Sequence, residues 1–295
     1  MTELVQQLVD GLGRGGTYAL LALGLAVVFG VLHLLNFAHG ELITISAYVV
    51  YWLSSYDVPW WALAPVCVAV GAVASMGMEV VAFRWVRNAS PFTLLVTSFG
   101  VAIVIQGFFQ IAVSPKARKY DKPSWVFDTW EIGGVRLEVA DLLTIAVTVV
   151  VLLGVVLVMQ RTMFGIALRG AATDFDATRL MGLRANRAIS GAFGLSGALA
   201  GVAAALILMR RGDASPTMGT DYMLKAVVAA IIGGLGSLPG AVVGGLVLGL
   251  AEVAFRSWLP DGIAGLTDGF VFAFVAVLLV VRPNGLFNVR SAERV

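Results

Sequence analysis

His39 and Glu41 stand two residues apart, Glu79 precedes Arg84 by five, and Glu252 precedes Arg256 by four. These ionisable groups lie beside long apolar stretches, so any chemistry or solute contact must begin with them. His39 and Glu41 could in principle serve as an acid/base pair, but residues two apart on a helix do not face each other. Glu252 and Arg256 share a helix face and can pair as a structural ion pair. Glu79, close to Arg84, reads as a group that snorkels to an interface. The two histidines, His33 and His39, are too sparse for a metal cage. Cys67 is alone inside an apolar run, which makes it a buried bystander thiol. The chain has no GxxxxGK[ST] phosphate loop and no HExxH, CxxC or GxSxG. The expectation is a chain with no catalytic residues, no metal site and no cofactor of its own.

The elements that hold these groups follow from the spacing of charge. Hydrophobic residues make up 59% of the 295 positions and charged residues 13%, too little charge to cover a soluble protein. Runs 15–40, 58–78, 88–115, 142–160, 188–209 and 226–251 contain no Asp, Glu, Lys or Arg. A bilayer core about 30 Å thick takes about 20 apolar residues of helix. The runs do not alternate as barrel strands do, so the spans are helices. The fold class is all-α, a polytopic transmembrane bundle of eight or nine crossings. The expected spans are 16–35, 41–56, 59–83, 92–113, 139–160, 188–209, 223–235, 239–258 and 264–282, with 41–56 and 223–235 short enough to be half-helices. Residues 1–295 read as one domain. The stretch before Gly16 lacks a basic start, so the first run reads as a retained span rather than a cleavable signal. A net charge of +2 gives no reason to expect a nucleic-acid partner; membrane lipid is the expected surrounding.

Two polar breaks interrupt the apolar runs. In Asn36-Phe-Ala-His39-Gly40-Glu41, Asn36 can cap a helix end, Gly40 permits a turn and Glu41 suits a helix start. Gly233-Gly234-Leu-Gly236-Ser237-Leu-Pro-Gly240 carries enough glycine and proline to break a helix. Broken helices at membrane depth line cavities or are buried in protein, and one in each half of a transporter points to the substrate path. Asn36, His39, Gly40, Glu41, Gly233, Gly234, Gly236 and Ser237 are therefore the candidate path residues. The plainer alternatives are a polar surface turn and a short hairpin loop.

The hydrophilic stretch 161–187 contains Thr173-Asp174-Phe-Asp176-Ala177-Thr-Arg179-Leu180-Met-Gly182. Thr173 or Asp174 can cap a short helix, Asp176 suits its first turn, Arg179 its last, and Gly182 its close. So short a helix is marginal alone and should dock, either on its own membrane domain or on a soluble partner. A second hydrophilic stretch, 114–138, carries Trp125 and Trp130, which suit a membrane interface. Gly197–Gly201, Gly240–Gly244 and Gly245–Gly249 are GxxxG pairs that call for close helix packing. Lys and Arg divide ten and ten between the two sets of loops, so charge does not orient the chain.

Taken together, Asn36-Phe-Ala-His-Gly-Glu41, Arg161-Thr-Met-Phe-Gly165 with Arg169 and Ala171, Ala177 to Gly182, Ser215-Pro-Thr-Met-Gly219, Lys225-Ala, Gly233-Gly-Leu-Gly-Ser237 and Arg282-Pro-Asn-Gly-Leu-Phe287 resemble the permease family of branched-chain amino acid ABC importers, which includes urea and amide importers. The resemblance runs through nearly the whole chain. It implies a bacterial inner-membrane protein with a periplasmic N-terminus and a cytoplasmic C-terminus. It implies a cytoplasmic 161–187 loop that couples to an ATPase through Arg169, Asp174, Asp176, Ala177, Arg179, Leu180 and Gly182. Its implied partners are a second homologous permease, two cytoplasmic ATP-binding subunits that hold ATP and Mg, and a periplasmic or lipid-anchored solute-binding protein. Ala172-Thr-Asp174 stands where relatives often carry Glu-Asp or Glu-Ala-Ala. The rival reading, an ion-coupled secondary transporter, would need acidic groups near the midplane and leaves the docking loop without a role.

Overall fold

The computed structural model describes residues 2–32, 35–87, 89–173, 178, 180–181, 185–260, 264–283 and 285–287. Helix α1, Thr2–Leu32, starts well before the expected residue 16. The reason is packing. Gly11 faces Leu250, and Gly15 faces the backbone of Leu246. These bare positions let a neighbouring helix lie close and hold the polar first turns helical. The chain then turns into α2, Glu41–Ser54. Helix α3, Trp60–Met78, runs through a π-turn at Glu79–Phe83 into Arg84–Val86. Helix α4 is Pro91–Ala112, with the Ser90 hydroxyl accepting from the Thr93 amide at its start.

After a polar excursion come α5, Val139–Arg161, and α6, Met163–Thr173. Helix α6 lies inside the stretch expected to be a loop, and Thr173, a proposed N-cap, is its last residue. Then follow α7, Ala185–Arg211; α8, Met218–Gly233; α9, Leu238–Trp258; and α10, Thr267–Val281. Among the described residues, six helices are long and apolar enough to cross a membrane. Helices α2 and α8 have 14 and 16 residues, about 21–24 Å at 1.5 Å per residue. Both fall short of the roughly 30 Å core, as expected for half-helices, although α8 begins at 218 rather than 223.

Helix α1 is the hub. Its segment Tyr18–Val28 is buried, and it packs against α9, α7, α5 and α8, while α3 packs along α7. The GxxxG pairs make these contacts within the chain. Gly245 faces Ala19 and Gly249 faces Gly15, while Gly197 faces Gly71 and Gly201 faces Cys67. Gly244 faces Ala229, joining α8 to α9. Small residues let backbones approach and gain van der Waals contact where no hydrophobic effect acts between helices. Apolar side chains on the outer faces of α4, α5 and α10, such as Ile111, Val150 and Val280, stay exposed, as a lipid-facing surface requires.

Among the described residues, strands occur in the excursion and in one short segment after α7. Strands β2, Thr129–Ile132, and β3, Val135–Glu138, form a hairpin over Gly133-Gly134, both at positive φ. Strand β1, Arg118–Lys119, pairs antiparallel with β4, Asp213–Ala214, and ties the excursion to the end of α7. Beside that pair the Tyr120 hydroxyl donates to the Leu208 carbonyl at 3.0 Å. Burial, together with nearby Asp213, pushes its ionisation upward. Trp125 and Trp130 remain exposed on the excursion.

Candidate functional site

The first break is a cap, a single 3₁₀ turn and a new helix. Asn36 accepts from the Ala38 amide at 3.1 Å, Phe37–His39 form the turn, and Glu41 opens α2. Gly40 lies against Gly219 and Met223 of α8, where no side chain would fit. The Glu41 carboxylate is buried and accepts from Thr44 at 2.8 Å and Gln106 at 2.7 Å, with Thr220 at 3.5 Å. Thr44 in turn accepts from the Gly219 amide at 3.2 Å. Position in the first turn of α2 adds the favourable end of the helix dipole. His39 turns the other way, toward Ser196 at 3.2 Å, with its ring against Gly24. The two groups thus serve different contacts, as their two-residue spacing requires.

The second break is a clasped hairpin. Helix α8 ends at Gly233; Gly234 and Gly236 take φ of 102° and 88°; and Ser237 caps α9 by accepting from the Gly240 amide at 3.0 Å. Leu286 and Phe287 donate their amides to the Ile232 and Gly233 carbonyls at 2.8 and 3.1 Å. The Arg282-to-Phe287 motif therefore satisfies carbonyls that the end of α8 leaves open. Gly285, at φ 74°, sits against Gly234 too closely for a side chain. The breaks do not meet. They sit at opposite ends of α8, which touches Gly40 through Gly219 and Gly240 through Gly233.

A charged cluster stands between α1, α8, α9 and α10. Glu252 does not pair with Arg256, the partner its spacing offered. Its carboxylate instead takes Arg14 at 3.1 Å, Lys225 at 2.9 Å and the Tyr18 hydroxyl at 2.7 Å. Burial between helices decides this: Glu252 points into the α1–α9 contact, while Arg256 is exposed beside the hairpin face. Lys225 also reaches Asp268 at 3.5 Å and lies 5.3 Å above the Tyr18 ring. Glu79, expected at an interface, is buried in the π-turn with its carboxylate on Arg84 at 2.9 Å and Ser190 at 2.7 Å. Such a turn re-aims side chains off the regular helical face. Arg210 closes a third group with Asp141 at 2.6 Å and Glu138 at 3.1 Å.

The Glu252 cluster lines a cavity of about 460 Å³, together with Leu206, Ile207 and Phe272. An adjoining basin of about 1040 Å³ opens toward the β2–β3 hairpin and includes Gln6, Asp10, Arg136 and Arg256. Arg14 and Arg210 line both spaces and stand between them. Neither cavity is lined by the residues of the two breaks. Lys225 and Glu252 bound the charge-free run 226–251. Folding that run back at its glycine-rich turn brings its two ends together, and that was the signal for this pair. Arg14 and Asp268 left no comparable local trace.

In the 161–187 stretch, the Arg169 guanidinium donates to the Met159 carbonyl and draws α6 back onto the end of α5. Thr178 is buried, whereas Leu180 and Met181 are 90% and 79% exposed. Asp174, Asp176, Ala177, Arg179 and Gly182 lie outside the described residues. Among the described residues no three His, Cys, Asp or Glu converge as metal ligands.

The sequence pattern of the branched-chain amino acid transport system permease component matches residues 7–281. The chain is 32% identical over 303 residues to the high-affinity branched-chain amino acid transport permease BraD of Pseudomonas aeruginosa, covering 99% of this chain and 98% of that protein. It is 31% identical over 305 residues to the corresponding LivH permease of Escherichia coli, covering 99% and 97%. A probable branched-chain amino acid transport permease of Methanocaldococcus jannaschii is 27% identical over 285 residues, covering 92% and 88%. An all-helical, membrane-spanning bundle matched almost end to end in this way belongs to the family of branched-chain amino acid transport permease components.

Proposed function

We propose that this chain is the membrane-spanning subunit of an ATP-driven importer that carries leucine, isoleucine, valine or a close analogue. The observation that carries the reading is the near end-to-end likeness to BraD and LivH. In this reading a second homologous permease completes the pore. Two cytoplasmic ATP-binding subunits hold ATP and Mg, and a periplasmic or lipid-anchored protein delivers the solute. The N-terminus and the hairpin basin face the periplasm, and the C-terminus faces the cytoplasm.

Two physical points support this assignment of roles. Lys225 and Asp268 lie on apolar helices yet keep solvent-accessible charge. Charge at such positions is expensive against lipid, so they face water or a partner subunit. Leu180 and Met181 expose apolar side chains in the 161–187 stretch, as a surface seated in another protein does. ATP-driven movement would enter there, at Arg169, Asp174, Asp176, Ala177, Arg179, Leu180 and Gly182. Helix α8 would carry it between the break at Asn36, His39, Gly40 and Glu41 and the break at Gly233, Gly234, Gly236 and Ser237.

The test is purification from membranes followed by an ATPase assay. The chain should bring down an ATP-hydrolysing subunit. Arg179→Glu and Gly182→Trp should leave hydrolysis running while uptake falls. Undiminished uptake in both variants would remove the coupling role.

A further inference from the structure

We infer that the cavity bounded by Arg14, Lys225, Glu252 and Asp268 is a transit site for a zwitterionic α-amino acid, which enters by opening the Lys225–Asp268 ion pair. The inference rests on the proposal that the chain carries amino acids, and it adds where the solute pauses and what recognises it.

The cavity has the size and the mixed chemistry such a solute needs. Its volume is about 460 Å³, within the usual range of small-molecule sites. Its lining combines charged side chains with the apolar Leu206, Ile207 and Phe272. The charged groups are graded. Glu252 is buried and held by three donors at 2.7–3.1 Å. The Lys225–Asp268 pair is longer, at 3.5 Å, and the Asp268 side chain is 67% exposed. A partly exposed pair of this kind contributes little to stability and opens at low cost. Asp221, also in the lining, is exposed and forms no ion pair with a described residue.

An α-amino acid brings one positive and one negative group. Its carboxylate can take Lys225 while its ammonium takes Asp268 or Asp221, so the total charge of the cavity does not change. A solute with only one of these charges makes only one of the two charged contacts, while Lys225 keeps Glu252 at 2.9 Å, so it gains less on entering. The apolar side chain then lies on Leu206, Ile207 and Phe272. Entry is through the hairpin basin, past Arg14 and Arg210, which line both spaces. No covalent step is involved. Occupancy must be weak, because a transit site that binds tightly stalls release.

The test uses the assembled transporter in membranes and a single reporter, Leu224→Cys. Leu224 lines the cavity and is 46% exposed, while Cys67, the native cysteine, is 1% exposed and silent to a charged thiol reagent. With a dissociation constant of about 1 mM, leucine at about ten times that concentration should slow labelling about tenfold. The single-charge analogues 4-methylpentanoate and 3-methylbutylamine at the same concentration should leave the rate unchanged. Adding Asp221→Asn and Asp268→Asn together to the reporter should abolish the protection by leucine while the introduced thiol still labels at its unprotected rate. Absence of protection by leucine, or equal protection by all three compounds, overturns the inference. ATP-dependent leucine uptake by the wild-type complex, measured alongside, separates the two ideas: uptake without protection removes this site and leaves the proposed function standing.

Discussion

The Glu252 carboxylate ties three helices of this fold together, and Glu252→Gln isolates its charge. The carboxylate holds Arg14, Lys225 and Tyr18 between α1, α8 and α9. Glutamine keeps the shape but leaves two cations facing an amide. Removing one partner of a fully buried pair costs about 3–5 kcal/mol. Here the cost is lower, about 2–3 kcal/mol, because the Lys225 and Arg14 side chains keep 22% and 35% exposure and Lys225 retains Asp268. For a chain of this size that lowers the melting midpoint by about 3–5 °C, read by thermal unfolding in detergent. The decisive variant is the double exchange Glu252→Gln with Lys225→Met. Taking away the stranded cation should recover about 1 kcal/mol or more of the loss. Strictly additive losses would refute the view that Lys225 is stabilised by this carboxylate.

Other perturbations follow from the same geometry. Gly249→Val should separate α1 from α9, because its side chain would run into the Gly15 backbone; overpacking of this kind costs about 1–3 kcal/mol. Gly107→Ala, inside α4 with nothing within 4 Å, should be tolerated and stabilise by up to about 1 kcal/mol when the two are compared by yield and unfolding temperature. Leu286→Pro removes the amide that reaches the Ile232 carbonyl and should cost about 1–3 kcal/mol. That loss should appear as faster hydrogen exchange at the α8–α9 turn. Ser237→Ala removes the α9 cap and should cost about 1 kcal/mol, measured by the same unfolding assay.

What the sequence could reveal depended on how local the cause was. The long spans were legible because lipid imposes a simple rule on charge. Both breaks were legible because Asn36, Gly234, Gly236 and Ser237 act on their own backbone, whereas Gly40, expected to permit a turn, has ordinary helical backbone at φ −62° and is bare because α8 lies against it. The GxxxG pairs were legible as close contacts, although only the fold shows that they close within one chain. The start of α1 was missed because residues 2–15 have too much charge and glycine to look like a span, and they are held by α9 and α5. The partners of Glu252 were missed for the same reason. Arg14 lies 238 residues away, and no periodicity encodes such a distance. Glu79 was misplaced because a π-turn shifts the face on which a regular helix would put it.

Uptake of labelled leucine into proteoliposomes tests the central claim most directly. The vesicles would hold this chain, its companion permease, the ATP-binding subunits and the solute-binding protein. Accumulation should require both ATP inside and the binding protein outside, and should stop when either is withheld. Leucine entry driven by a proton or sodium gradient through this chain alone, with no ATP, would contradict the account.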